Sequence, residues 1–360
     1  MKKNFLRYAV VLLLTAVLLF FFFRSVDWSS LFASVTNVNV FFFVLMVLFG
    51  PFHLVPRAFR WKYLIRPEKK DVKFYNLFAG QAIGFTVTLL LPARLGEIVK
   101  PLYLARKEKI SEGFALGTVV VERIFDIIAM VFLLAVFLLA RPLYVAQFSV
   151  SVDAYSWLFK LGMLGLALDL VIIAFVLCLH FFRKTTLRIL NAVLKPFPRK
   201  FADKVRSLVE EFIQGLRFFR SFFDLLRFFL LSVLVWASIV VYYWIFFLAY
   251  REVFPVYTVI PYVFATMIGA AIPTPGMAGG FDFFSKKALM TLYFSPRIPA
   301  DASAAVRLAM ERDLSTKATG MTLVVHAVQV VMTCLVGFVI LWKEGLSLLQ
   351  LKKMGEEFQK

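Results

Sequence analysis

Ile272-Pro273-Thr274-Pro275-Gly276-Met277-Ala278-Gly279-Gly280 (residues 272–280) closes the apolar run Tyr257–Ile272 with two prolines and three glycines. Leu91-Pro92-Ala93-Arg94 does the same to the apolar run Phe74–Leu91. A proline inside a helix removes a backbone hydrogen bond and clashes with the preceding turn, so Pro92, Pro273 and Pro275 are read as helix-breaking positions. Two broken apolar segments therefore decide how the rest of the chain is folded.

Around them the chain is unusually apolar: 61% of its 360 residues are hydrophobic, well above the 45–50% of soluble domains. The excess falls in Tyr8–Phe23, Val38–Val55, Gly113–Ala140, Trp157–Phe182, Phe228–Tyr250 and Met321–Trp342, each long enough to span a bilayer. The 43 Phe residues are explained by lipid-facing surfaces. The first stretch follows Lys2, Lys3 and Arg7 but ends in Phe23-Arg24 without a small-residue cleavage site, so it is read as an uncleaved membrane helix. Cys178 and Cys334 both lie inside apolar runs and read as packing residues.

The net charge of +19 would suit nucleic acid, but the Lys and Arg residues cluster beside the apolar runs, as the positive-inside pattern requires, and nucleic acid is excluded as a partner. Lys2, Lys3 and Arg7 put the N-terminus in the cytoplasm. The next basic loop, from Arg57 and Arg60 to Lys73, is then cytoplasmic too. Were Phe74–Leu91 to cross fully, Lys100, Arg106, Lys107 and Lys109 would lie outside. If it turns back at Pro92, they stay inside. The same bookkeeping makes 257–294 a second hairpin entered from outside and leaves Ser295–Thr319 external, with both termini cytoplasmic. Six spanning helices plus two oppositely oriented re-entrant hairpins follow: an all-α polytopic integral membrane protein with an inverted pseudo-repeat. Two ordinary kinked spans are the plainer alternative. Residues 1–343 form one transmembrane domain, which includes a basic amphipathic cytoplasmic segment at 183–227. Residues 344–360 are a short cytoplasmic tail.

Ionisable groups at membrane depth are costly and mark function. Arg94 and Glu97 share a helix face, and Arg94 with Lys100 can grip a phosphate, although Lys100 can equally snorkel to the interface. Glu122 and Asp126 also share a face and need a cation from Arg123 or Arg94, or a proton on one carboxylate; a register-locking salt bridge is the alternative. Gly276, Gly279 and Gly280 let backbone pass close to a neighbour or a ligand. A half-helix restarting near Gly280 would aim its amides at an anion, with Asp282 as its acidic cap or the partner of a basic group. His53, His180 and His326 are scattered, with no metal-ligand spacing, so no metal and no cofactor are expected.

Four pieces occur in order: Arg57-Ala58-Phe59-Arg60-Trp61, Arg94-Leu95-Gly96-Glu97 with Lys100, Glu122-Arg123-Ile124-Phe125-Asp126, and Pro275-Gly276-x-x-Gly279-x-x-Asp282. In these the chain resembles the transmembrane, flippase-like family of lysylphosphatidylglycerol synthases, from about Leu6 to Trp342. The family's last motif usually reads Pro-Gly-Gly and ends in Glu, where this chain has Met277 and Asp282. Too few residues follow Trp342 to hold the soluble aminoacyltransferase domain. The resemblance thus implies a lipid-translocating unit of the cytoplasmic membrane without the lipid-lysylating one. Its ligand would be an anionic or polyprenyl-type membrane lipid, held by Arg94, Lys100, Gly276, Gly279 and Gly280. Glu97, Glu122, Arg123, Asp126 and Asp282 would act in gating or charge relay. A transporter is expected rather than an enzyme, and with no Walker-type loop its energy would come from a gradient or from lipid asymmetry. The alternatives are a lipid-modifying transferase, or a non-catalytic partner of a separate glycosyl- or aminoacyl-transferase.

Overall fold

The computed structural model describes residues 36–91, 94–139, 183–196, 221–299 and 301–358, with a few isolated positions between 163 and 203. The expected span Tyr8–Phe23, nearly all of Trp157–Phe182, the residue Pro92, and residues 204–220 of the basic segment 183–227 lie outside the described residues. Every regular element among the described residues is helical. They are α1 (Val40–Phe49), α2 (Leu54–Ile65), α3 (Phe74–Leu90), α4 (Gly96–Glu108), α5 (Glu112–Leu139), α6 (Arg183–Leu194), α7 (Phe222–Ala249), α8 (Ile260–Ala271), α9 (Gly280–Ala288), α10 (Ala304–Glu344) and α11 (Leu348–Phe358).

Among the described residues three helical stretches are long and apolar enough to cross a bilayer: Val40–Ile65, Phe222–Ala249 and Ala304–Glu344. The first joins α1 to α2 through a 3-10 turn, Gly50–His53, that carries Pro51 near its start. At 28 residues α5 is also long enough, but Glu122, Arg123 and Asp126 interrupt its apolar surface. The sequence boundary at Val55 therefore falls short. The helix continues to Ile65 and carries Arg57 and Arg60 into the protein, not into a cytoplasmic loop, and both are buried. The apolar remainder of α2 explains this: Ala58, Trp61, Leu64 and Ile65 pack against Leu77, Leu104, Val121 and Phe228.

Each interrupted stretch folds as two antiparallel helices. In the first pair Gly84 of α3 meets Gly96 of α4 so closely that a Cβ on Gly96 would stand 1.8 Å from the Gly84 carbonyl oxygen. In the second, a Cβ on Gly280 of α9 would stand 2.5 Å from the carbonyl of Gly269 on α8. Glycine allows the two backbones to touch in both. The turn of the second pair holds Gly276 (φ 60°), Met277 (φ 60°) and Gly279 (φ 78°), and the turn of the first holds Arg94 (φ 53°).

Both pairs lie along α10. Thr86 of α3 donates to the Thr333 carbonyl at 3.3 Å, and Lys107, at the open end of that pair, bonds Glu344. On the second pair, Asp282 meets His326 and Ser285 meets Thr322, while its open end is tied by Glu252, Arg297 and Lys317. The pairs thus open toward opposite ends of α10 and meet tip to tip between His326 and Thr333. Beyond Glu344 the expected tail is not free: α11 packs on α4, burying Leu351 and Met354 beside Val99 and Leu102.

Candidate functional site

Between the two tips and helices α2, α5 and α7 lies a cavity of about 540 Å³. Phe49, Phe85, Ile239 and Val263 are among its apolar walls. Its polar wall includes Arg57, Arg94, Glu97, Lys100, Arg123 and Asp126.

The polar wall begins on α2. Arg57 and Arg60 are three residues apart, so one helix face presents both guanidiniums toward α5. Arg60, fully buried, donates to Asp126 Oδ1 at 2.6 Å and to Ser232 Oγ of α7 at 3.1 Å, and reaches Glu122 Oε1 at 3.5 Å. Arg57 approaches Asp126 Oδ2 at 3.4 Å and lies over the rings of Phe85 and Trp236. Arg123 reaches Asp126 Oδ2 at 3.5 Å from within α5. Lys100 does not snorkel. It is buried, bonds Glu122 and sits 4.4 Å from the centroid of the Trp61 ring, which Trp61 Nε1 fixes by donating to Thr118 Oγ1 at 2.8 Å. Four cations, Arg57, Arg60, Lys100 and Arg123, thus face two carboxylates, Glu122 and Asp126. The cluster keeps a formal excess of positive charge beside a cavity, which favours an anion there.

Arg94 takes a different place from the α5 carboxylates. It pairs with Glu97 at 3.3 Å and donates to the Ala270 carbonyl, the C-terminal end of α8, where a cation is favoured by the helix dipole. It therefore joins the tips of the two helix pairs. Asp282 caps its own helix by accepting from Gly279 N–H at 2.8 Å, and its other oxygen lies 2.6 Å from His326 Nδ1. The Gly276 carbonyl faces His326 Nε2 at 2.7 Å. Gly276, Gly279 and Gly280 do not line the cavity; Pro273, Thr274, Met277 and Phe281 of the same segment do. Pro275 starts the 3-10 turn that carries Gly276. Among the described residues no three His, Cys, Asp or Glu side chains converge as metal ligands.

From the sequence, Arg57 and Arg60 read as a basic loop and as part of the resemblance, and His326 as a scattered histidine, but none of the three is placed in the site. The i, i+3 spacing of the two arginines next to Trp61 was an available signal, but it reads equally as a basic loop. His326 carried no local signal, because its partners are 44 and 50 residues away. Several buried polar atoms have no hydrogen-bond partner among the described residues, including Nε of Arg57 and Arg123, Trp236 Nε1, Tyr242 OH and Thr274 Oγ1. All five belong to side chains on the cavity wall. Native proteins rarely leave such groups unmatched, so this wall has hydrogen-bonding capacity that the described chain does not use.

Residues 5–310 match the family model described as the lysylphosphatidylglycerol synthase TM region. The chain is also similar to a UPF0104 membrane protein of Methanocaldococcus jannaschii, 24% identical over 321 residues, which cover 86% of this chain and 90% of that protein. No solved structure matches it.

Proposed function

Since the chain belongs to the lysylphosphatidylglycerol synthase transmembrane-region family, a family of membrane proteins, we propose that it moves an anionic lipid across the cytoplasmic membrane, with the headgroup carried through the cavity between the two helix pairs. The observation that carries this reading is the cation excess at the cavity wall. A phosphate entering beside Arg57, Arg123 and Lys100 would neutralise that excess and accept from the unpartnered Nε–H groups of Arg57 and Arg123. The apolar walls suit the first carbons of the acyl chains.

We read the two helix pairs as re-entrant hairpins. At 1.5 Å per residue, α3 spans ~26 Å, α4 ~20 Å and α8 ~18 Å, each less than a ~30 Å hydrocarbon layer. Lys69, Lys73, Arg106 and Lys107 surround the open end of the first pair, so that end is assigned to the cytoplasm. Tips meeting near mid-membrane would put the cavity where transporters with broken helices bind their cargo. The transferase alternative has less support: Glu122 and Asp126 are held by cations and Asp282 by His326 and Gly279, which leaves none free as a general base.

The test is reconstitution in liposomes containing fluorescent phosphatidylglycerol or phosphatidylcholine, with the outer leaflet bleached by dithionite. The protein is expected to speed transbilayer movement of the anionic lipid over the zwitterionic one. Arg57→Ala and Arg123→Ala should each slow it about tenfold, the equivalent of ~1.4 kcal/mol from one charge-assisted contact. Wild-type protein that moves no anionic lipid faster than protein-free vesicles would end the transport reading.

A further inference from the structure

His326 projects from α10 with both ring nitrogens against acceptors. Nδ1 faces Asp282 Oδ1 at 2.6 Å and Nε2 faces the Gly276 carbonyl at 2.7 Å. A neutral imidazole carries one N–H and cannot satisfy two acceptors. The geometry is met in two ways: an imidazolium donates to both, or Asp282 carries a proton and donates to Nδ1 while Nε2–H donates to Gly276. In either case the pair holds one proton more than neutral histidine with ionised aspartate, and is electrically neutral. Without that proton it carries one negative charge, and a ring lone pair points at an oxygen less than 3 Å away.

The place of this contact gives it a consequence. Gly276, Met277 and Gly279 all have positive φ, so the tip of the second helix pair is a tight turn, and His326 is its tie to α10. The same turn supplies Thr274 and Met277 to the cavity wall, and Phe281, whose ring centroid is 4.7 Å from that of His326, lines it too. Asp282 is the one charged side chain in contact with His326 among the described residues. The next polar neighbour along α10 is Gln329, which accepts from Tyr243 OH of α7 at 3.2 Å.

We propose that His326 and Asp282 form a proton-binding site whose occupancy locks the tip of α8–α9 to α10, so that proton loss frees the cavity wall and couples lipid movement to the proton gradient. The locking step stands on the geometry above, and the coupling step rests on the transport reading. Only three histidines are present, so ¹⁵N-histidine spectra of the full chain in nanodiscs can be assigned by substitution. On raising the pH over a range wide enough to deprotonate an imidazolium, the pair should lose one proton. Over the same range alkylation of Ala278→Cys, in a Cys178→Ser/Cys334→Ser background and normalised to Ser303→Cys, should quicken about tenfold, the ratio for ~1.4 kcal/mol of lost locking. His326→Gln and Asp282→Asn should label fast at every pH. A His326 that stays singly protonated beside ionised Asp282 throughout, or a labelling ratio that does not follow its titration, overturns the lock. In liposomes, lipid movement by His326→Gln should no longer respond to an imposed pH gradient; a retained response overturns the coupling. Absence of lipid movement in wild type overturns the transport reading and with it the coupling, while the spectra and labelling still decide the lock.

Discussion

At the scale of single residues, the buried charges are held in place by one another. Glu122 has Lys100 and Arg60, and Asp126 has Arg60, Arg57 and Arg123. Removing one partner strands a desolvated charge, so Glu122→Gln should lower stability by about 3–5 kcal/mol, whereas Lys100→Met with Glu122→Met should recover most of it. Thermal unfolding in detergent measures both, and equal losses in the single and double variants would mean that Lys100 does not depend on Glu122. Outside the membrane-spanning helices, Glu252 answers to pH. Burial raises its pKa, but the bonds from Arg297 and Lys317 outweigh that and hold it below the ordinary 4.5. Its contribution is then complete above pH 4.5 and is lost as the pH falls through the lowered value. Acid unfolding of wild type should be steeper in that window than that of Glu252→Gln.

At the scale of elements, the two helix pairs are built on the same device, a glycine facing a glycine where the backbones cross. A methyl group on Gly96 or Gly280 meets a carbonyl oxygen at 1.8 or 2.5 Å, and neither helix can yield without moving its partner. Gly96→Ala and Gly280→Ala should each cost about 3 kcal/mol, the upper end for overpacking. Gly276→Ala is a different case. Its Cβ would have only the Leu89 carbonyl at 3.9 Å, so the cost is the positive φ alone, about 1–2 kcal/mol. Denaturation in detergent should rank the Gly276 variant as the mildest; the reverse order would contradict the crossing geometry.

At the scale of the whole molecule, α10 is the ruler. Lys317 bonds the open end of one pair and Glu344 the open end of the other, and the 27 residues between them cover ~40 Å, the thickness of a bilayer with its headgroups. Single cysteines at Lys107 and Ser303 should therefore label from opposite sides of the membrane. Labelling of both from one side would contradict the opposed-hairpin reading.

The residues by themselves determined that the chain is helical and lies in a membrane, because apolar runs, prolines and flanking charges act locally and leave their mark in order along the chain. They also marked Glu122 and Asp126 as carboxylates in need of a cation, since helical periodicity places both on one face. Which cation answers was decided only by the tertiary structure. Periodicity gives a residue its face but not the helix that face meets, so Lys100, Arg57 and Arg60 emerged as the partners in place of Arg94. For the same reason His326, with no neighbour in sequence to betray it, became the partner of Asp282 only when α9 packed on α10.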